Sequence, residues 1–116
     1  MSRNLVKKGA HLLVVPTFDA FAWGKVQHEQ HSAMSSMRAI ENGRYIIRAA
    51  SSGTSQIITP AGAIIDEIPS RDVGAIQGRV KLQVHNTIYT RYGYLFPWLC
   101  LVFLLGFIVF QNPHKS

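Results

Sequence analysis

A helical repeat runs straight into a glycine and then an apolar run between residues 30 and 53 (QHSAMSSMRAIENGRYIIRAASSG), and little else in the chain is as restrictive. On a helical wheel Ala33, Met37 and Ile40 share one arc, with Met34 at its edge, so this arc is the predicted core face. Glu41 falls inside the same arc, and a carboxylate there needs a partner. Arg44 and Arg48 stand just downstream, and a structural ion pair between Glu41 and Arg48 is the expectation. Gly43 occupies the position where a helix stops with positive φ. Residues 45–50 then read as an apolar strand interrupted by Arg48, which suits a sheet covered on both faces.

The rest of the chain falls into place around this unit. Residues 2–8 suit the last turns of a helix closed by Gly9, and 10–15 form a short apolar strand stopped by Pro16. Residues 17–24 (TFDAFAWG) make a loop of aromatic and small side chains before the helix of about 27–42. Residues 56–59 and 63–65 read as strands around a Pro60-Ala61-Gly62 turn, and 74–84 alternate enough (Ile76, Val80, Leu82, Val84) to predict a further strand. The order α-β-α-β-β-β is that of a layered α+β domain. Two strands this apolar require more cover than one good helix supplies, so a larger parent protein is expected.

Residues 94–110 (YLFPWLCLVFLLGFIVF) carry no charge. As a helix they extend roughly 25 Å, near the thickness of a hydrocarbon core. Tyr92, Tyr94 and Trp98 lie at one end like an interfacial belt, and Pro97 falls in the first turn, where its missing N–H does no harm. The predicted organisation is therefore a domain over residues 1–90, a transmembrane helix with its flank over 91–111, and a polar tail over 112–116. Lys81 and Arg91 precede the span and Lys115 follows it, a small excess that by itself leans to the cytoplasmic side and is outweighed by the resemblance given below.

Chemical signals are sparse. The net charge of +6 comes from twelve scattered Lys and Arg with no basic stripe interleaved with aromatics, so no nucleic-acid partner is expected. The lone Cys100 lies inside the apolar run, which excludes an internal disulfide and suits a packing residue rather than a nucleophile. His28 and His31 are three apart, not the four that a helical zinc motif requires, so no metal and no cofactor is called for. His31 and Arg38 share a helix face that suits either a pocket wall or a solvated edge. Asp19 is a substrate-binding carboxylate or a turn-former, and Phe21 and Trp23 wall a cavity or simply pack. No nucleophile elbow, phosphate loop or dinucleotide fingerprint occurs.

One resemblance is specific. Gln30-His31, Met34, Met37-Arg38-Ala39, Glu41, Arg44, Arg48-Ala49 and Gly53 follow one another as in the C-terminal half of the carbon–nitrogen hydrolase (nitrilase) superfamily. Gly9-Ala10, Pro16-Thr17, Asp19-Ala20 and the Pro60-Ala61-Gly62 turn fit the same pattern, although Phe18 stands where Asn is usual. Because Thr90-Arg91-Tyr92-Gly93 leads directly into the apolar run, the sequence is most similar to the apolipoprotein N-acyltransferase branch. The resemblance implies a partial αββα sandwich followed by one C-terminal transmembrane helix. It also implies a Glu-Lys-Cys triad upstream of the segment present here, so that this chain supplies no catalytic residue. The acyl donor would be a phospholipid, the acceptor a lipoprotein amine, and the soluble part would sit on the outer face of the cytoplasmic membrane. Asp19, Phe21, Trp23 and His31 are the expected substrate-binding residues. A membrane-anchored amidase and a non-catalytic membrane-tethered binding module are the alternatives.

Overall fold

The β-branched and leucine-rich segments of the chain pair into one mixed sheet, and the computed structural model describes residues 1–111 of it. Helix α1 (Ser2–Lys7) leads through Gly9 into strand β1 (Leu12–Thr17). Helix α2 (Lys25–Asn42) then crosses back to β2 (Tyr45–Ala50), which lies parallel to β1 with Leu13 opposite Ile46 and Val15 opposite Arg48. Strands β3 (Ser55–Ile58) and β4 (Ile64–Ile68) follow as antiparallel neighbours, giving the order β1-β2-β3-β4. Helices α3 (Ile88–Tyr92) and α4 (Leu95–Gln111) end the chain. The architecture is thus mixed α+β around a four-stranded sheet.

Helix α2 begins where the Gly24 N–H donates to Gln27 Oε1, and it stops at Gly43 with φ +59°, as a left-handed cap requires. It lies on the sheet face that carries Leu13, Ile46 and Ile58, and these residues, with Val6 and Ala39, form the small apolar core. The helix is turned the opposite way from the sequence expectation. Its buried stripe is His28, Ser32, Ser35, Ala39 and Asn42, while Met34, Met37 and Ile40 are each more than half exposed. The cause lies in the sheet: Arg48 and Gln56 sit opposite one another on the face beneath α2 and are buried. A guanidinium in that position needs hydroxyls and carbonyls above it, and small residues let the helix come close enough to supply them.

Two further expectations change. Residues 74–84 join no strand; Gly74 and Gly78 interrupt the run, and the segment packs Gly78 against Ile57 and returns to β1, where Gln83 and His11 hydrogen-bond to one another. The apolar run 94–110 does form a helix, α4, and in its predicted flank Arg91 and Tyr92 end α3 while Gly93, at φ +62°, turns the chain into α4. Among the described residues no helix is long and apolar enough to cross a membrane. The 17 residues of α4 reach about 25 Å, against about 30 Å of hydrocarbon core. None of its side chains is buried. The predicted polar tail, 112–116, lies outside the described residues.

Candidate functional site

The end of β1 and the loop after it fold back beneath α2, carrying Asp19 into the interior with no exposed surface. Its carboxylate is the centre of a polar knot. Oδ2 accepts from Arg48 Nη2 at 2.5 Å, while Oδ1 accepts from His31 Nδ1 at 2.8 Å and Thr17 Oγ1 at 3.1 Å. Arg48 spends its other donors on the Thr54 carbonyl (3.1 Å), the His31 carbonyl (2.8 Å) and Ser35 Oγ (3.3 Å). The backbone turn after β2 closes over the pair. A Cβ on Gly53 would lie 1.7 Å from Asp19 Oδ2, so only glycine fits there.

Electrostatics fix the protonation of this knot. Burial pushes the Asp19 carboxyl up, but the Arg48 charge and the hydrogen bonds from Thr17 and His31 together outweigh it and hold the group below its ordinary value. The ionised carboxylate then requires His31 to carry its proton on Nδ1, an assignment made from the hydrogen-bond network. Nε2 is the ring nitrogen that Asp19 leaves unengaged. Trp23 covers both histidines, its ring centroid 5.5 Å from that of His31, edge-on, and 5.8 Å from that of His28. His28 is buried, its Nδ1 3.8 Å from Asp19 Oδ2 and neither ring nitrogen hydrogen-bonded.

Two hollows meet at His31. One, of about 140 Å³, is lined by Val15, Thr17, Met34, Ser35 and Arg38 among others; the second is an open groove of about 380 Å³ between Trp23, Gln27, Gln30 and Met34. Of the four residues expected to bind substrate, His31 faces both hollows and Trp23 one. Asp19 is sealed beneath them and lines neither. Phe21 stands outside both, exposed, with the Arg71 guanidinium 5.0 Å over its ring and Arg71 Nη2 donating to the carbonyls of Phe21 and Trp23.

The expected Glu41–Arg48 pair is not formed. Glu41 lies on the outward arc of α2 and bonds Arg38 Nη1 at 2.7 Å, whereas Arg48 points under the helix to Asp19. Arg44 is caged by carbonyls, chiefly Ala10 at 2.8 Å and His85 at 2.5 Å, and its burial lowers its pKa. Among the described residues no three His, Cys, Asp or Glu are grouped to hold a metal ion. The one cysteine, Cys100, is exposed on α4. The knot can therefore position a histidine beside two hollows, and no cysteine lies in it.

The sequence matches the family described as Carbon-nitrogen hydrolase over residues 1–88. The chain belongs to the carbon–nitrogen hydrolase family. Within that family it is similar to the apolipoprotein N-acyltransferase of Geobacter metallireducens, with 36% identity over 87% of this chain and 19% of the relative. The corresponding protein of Gloeobacter violaceus is 36% identical over 96% of this chain and 21% of its own length. Apolipoprotein N-acyltransferase 1 of Treponema denticola is 34% identical over 90% of this chain and 20% of its own length. The carbon–nitrogen hydrolase chain described here thus spans about a fifth of the curated relatives it matches.

The sequence reading missed the Asp19–Arg48 partnership and the part played by Thr17, Ser35 and Gly53 in it. The signal was present in this carbon–nitrogen hydrolase chain: a lone arginine inside an apolar strand and a lone aspartate in an aromatic loop each demanded an opposite charge.

Proposed function

We propose that this chain is the C-terminal part of a membrane-bound N-acyltransferase of the nitrilase type, with the Glu-Lys-Cys triad supplied outside it. Similarity along 96% of the chain to a protein named apolipoprotein N-acyltransferase is the observation that carries this reading. In such a reaction the thiolate attacks the ester carbonyl of a phospholipid, the lysophospholipid alkoxide leaves and takes a proton, and a thioester remains. The lipoprotein amine then attacks the thioester, losing a proton as the thiol departs. On this reading residues 1–90 furnish scaffold and pocket wall. His31 and Trp23 border the acyl or headgroup space, Asp19 positions His31, and Phe21 and Arg71 brace the loop. The apolar α4 is seated in lipid within the segment 91–111, and the soluble part lies on the outer face of the cytoplasmic membrane.

The test is acyl transfer from phospholipid to a diacylglyceryl lipopeptide, read by mass spectrometry. The purified chain alone is expected to be inactive, and the chain co-produced with the remaining four fifths of a relative is expected to yield N-acyl lipopeptide. Turnover by the chain alone, or none by the reassembled pair, would overturn the reading. The family's hydrolase description supports a second outcome, in which water takes the acyl group. Free fatty acid in place of N-acyl lipopeptide identifies this hydrolytic outcome, and fatty acid released from an N-acyl amine substrate identifies a membrane-anchored amidase.

A further inference from the structure

All six carboxylates of the chain lie between Asp19 and Asp72, whereas seven of its twelve Lys and Arg lie outside that interval. The fold brings the two carboxylate-free ends together. Arg3 of α1 donates Nε to the carbonyls of Tyr89 (3.1 Å) and Thr90 (3.2 Å) at the end of α3. Its guanidinium lies against Gly93, where a Cβ would come within 2.6 Å of Cζ. Among the described residues the two Nη groups of Arg3 donate to nothing in the protein, which leaves a planar fork of the kind that suits phosphate. Lys7 stands one turn along α1 from Arg3, and Arg91 follows Thr90; both are exposed. Helices α1, α3 and α4 carry no carboxylate. Glu41, on the helix that packs against both α1 and α3, is taken up by Arg38. From this cationic elbow, Gly93 turns the chain into α4, all of whose described side chains are exposed and apolar but for Gln111, with Tyr92 and Tyr94 at its root.

We propose that the α1–α3 elbow is a docking surface for anionic phospholipid headgroups, with Arg3, Lys7 and Arg91 meeting the phosphates while the tyrosines and α4 enter the acyl layer. The charge complementarity of a carboxylate-free cationic patch at the base of an apolar helix selects this occupant over a second copy of the chain or a protein partner. The proposal rests on the reading of α4 as lipid-seated, and the experiment separates the two.

The full chain is reconstituted from detergent and floated with vesicles of phosphatidylcholine alone or of phosphatidylcholine with phosphatidylglycerol. Wild type is expected to float with both and to gain salt-sensitive affinity from phosphatidylglycerol. Lys7→Gln and Arg91→Gln should each reduce partition on the anionic vesicles roughly fivefold and leave the neutral vesicles unaffected. Lys25→Gln, at an exposed position of α2 paired with Glu29, should change neither. Equal partition of wild type on both vesicle types, or of the variants and wild type on the anionic ones, overturns the elbow as a headgroup surface. Dimerisation in place of anionic preference does so in favour of a second copy. Wild type that floats with neither vesicle overturns the seating of α4 itself.

Discussion

The Arg48 guanidinium reaches from the middle of β2 to the Asp19 carboxylate at 2.5 Å, and both groups are closed off from water. Among the described residues Arg48 has no other carboxylate partner, so its charge depends on Asp19. Asp19→Asn leaves Arg48 buried and uncompensated, and the expected loss of folding stability is about 3–5 kcal/mol. Urea denaturation of the variant beside wild type measures it; a loss under about 1 kcal/mol would mean that water reaches the pair.

Acid should undo the same contact. The folded-state pKa of Asp19 lies below the ordinary 3.8. Its contribution to stability is therefore complete above that value and is lost as pH falls through the lower, folded-state value. The urea midpoint of wild type should fall with acidification below about pH 4, more steeply than that of Asp19→Asn, which has no proton to take up at this site. Parallel slopes for the two would place the acid sensitivity elsewhere.

Gly53 and Gly9 make opposite cases for glycine. Gly53→Ala drives a methyl into the Asp19 carboxylate and should cost about 3 kcal/mol or more by parting it from Arg48. Gly9 has φ +99° but nothing within 4 Å of a Cβ, so Gly9→Ala should cost only the backbone preference, about 1–2 kcal/mol. Thermal or urea unfolding of the two variants should rank them in that order.

Glu41 is the counter-example. Its pair with Arg38 lies at the surface, the two side chains 28% and 49% exposed, and such pairs contribute about 0–1 kcal/mol. Glu41→Gln should change stability by less than about 0.5 kcal/mol. A loss of several kcal/mol would return Glu41 to the interior.

The contrast between Glu41 and Arg48 shows where sequence reasoning carried and where it stopped. Glycine and periodicity located α1, β1, α2 and β2 to within a few residues, because those signals are local to the backbone. Which side of α2 meets the sheet is not a local property. Methionine and isoleucine were assigned inward on hydrophobicity alone, yet the surface awaiting the helix carries Arg48 and Gln56, and a serine stripe answers that demand better. The strand expected over 74–84 failed for a related reason: alternation records a chain's capacity to pair and says nothing of whether two glycines let it lie straight. Asp19, Trp23 and His31 do come together, although their neighbourhood in sequence left open whether they would meet as a packed knot or as an open pocket.

The bridge between Asp19 and Arg48 joins residues 29 apart in the chain, with all of α2 between them. Closing a loop of that size costs about 3 kcal/mol in chain entropy. The pair has little to offer against that cost until the helix has already laid its serines and the His31 carbonyl around the guanidinium. The knot is thus expected to form late in folding, after β1, α2 and β2 have met. Its loss should quicken unfolding several-fold more than it slows folding. The same residues that orient His31 then also set how long the folded state survives once formed.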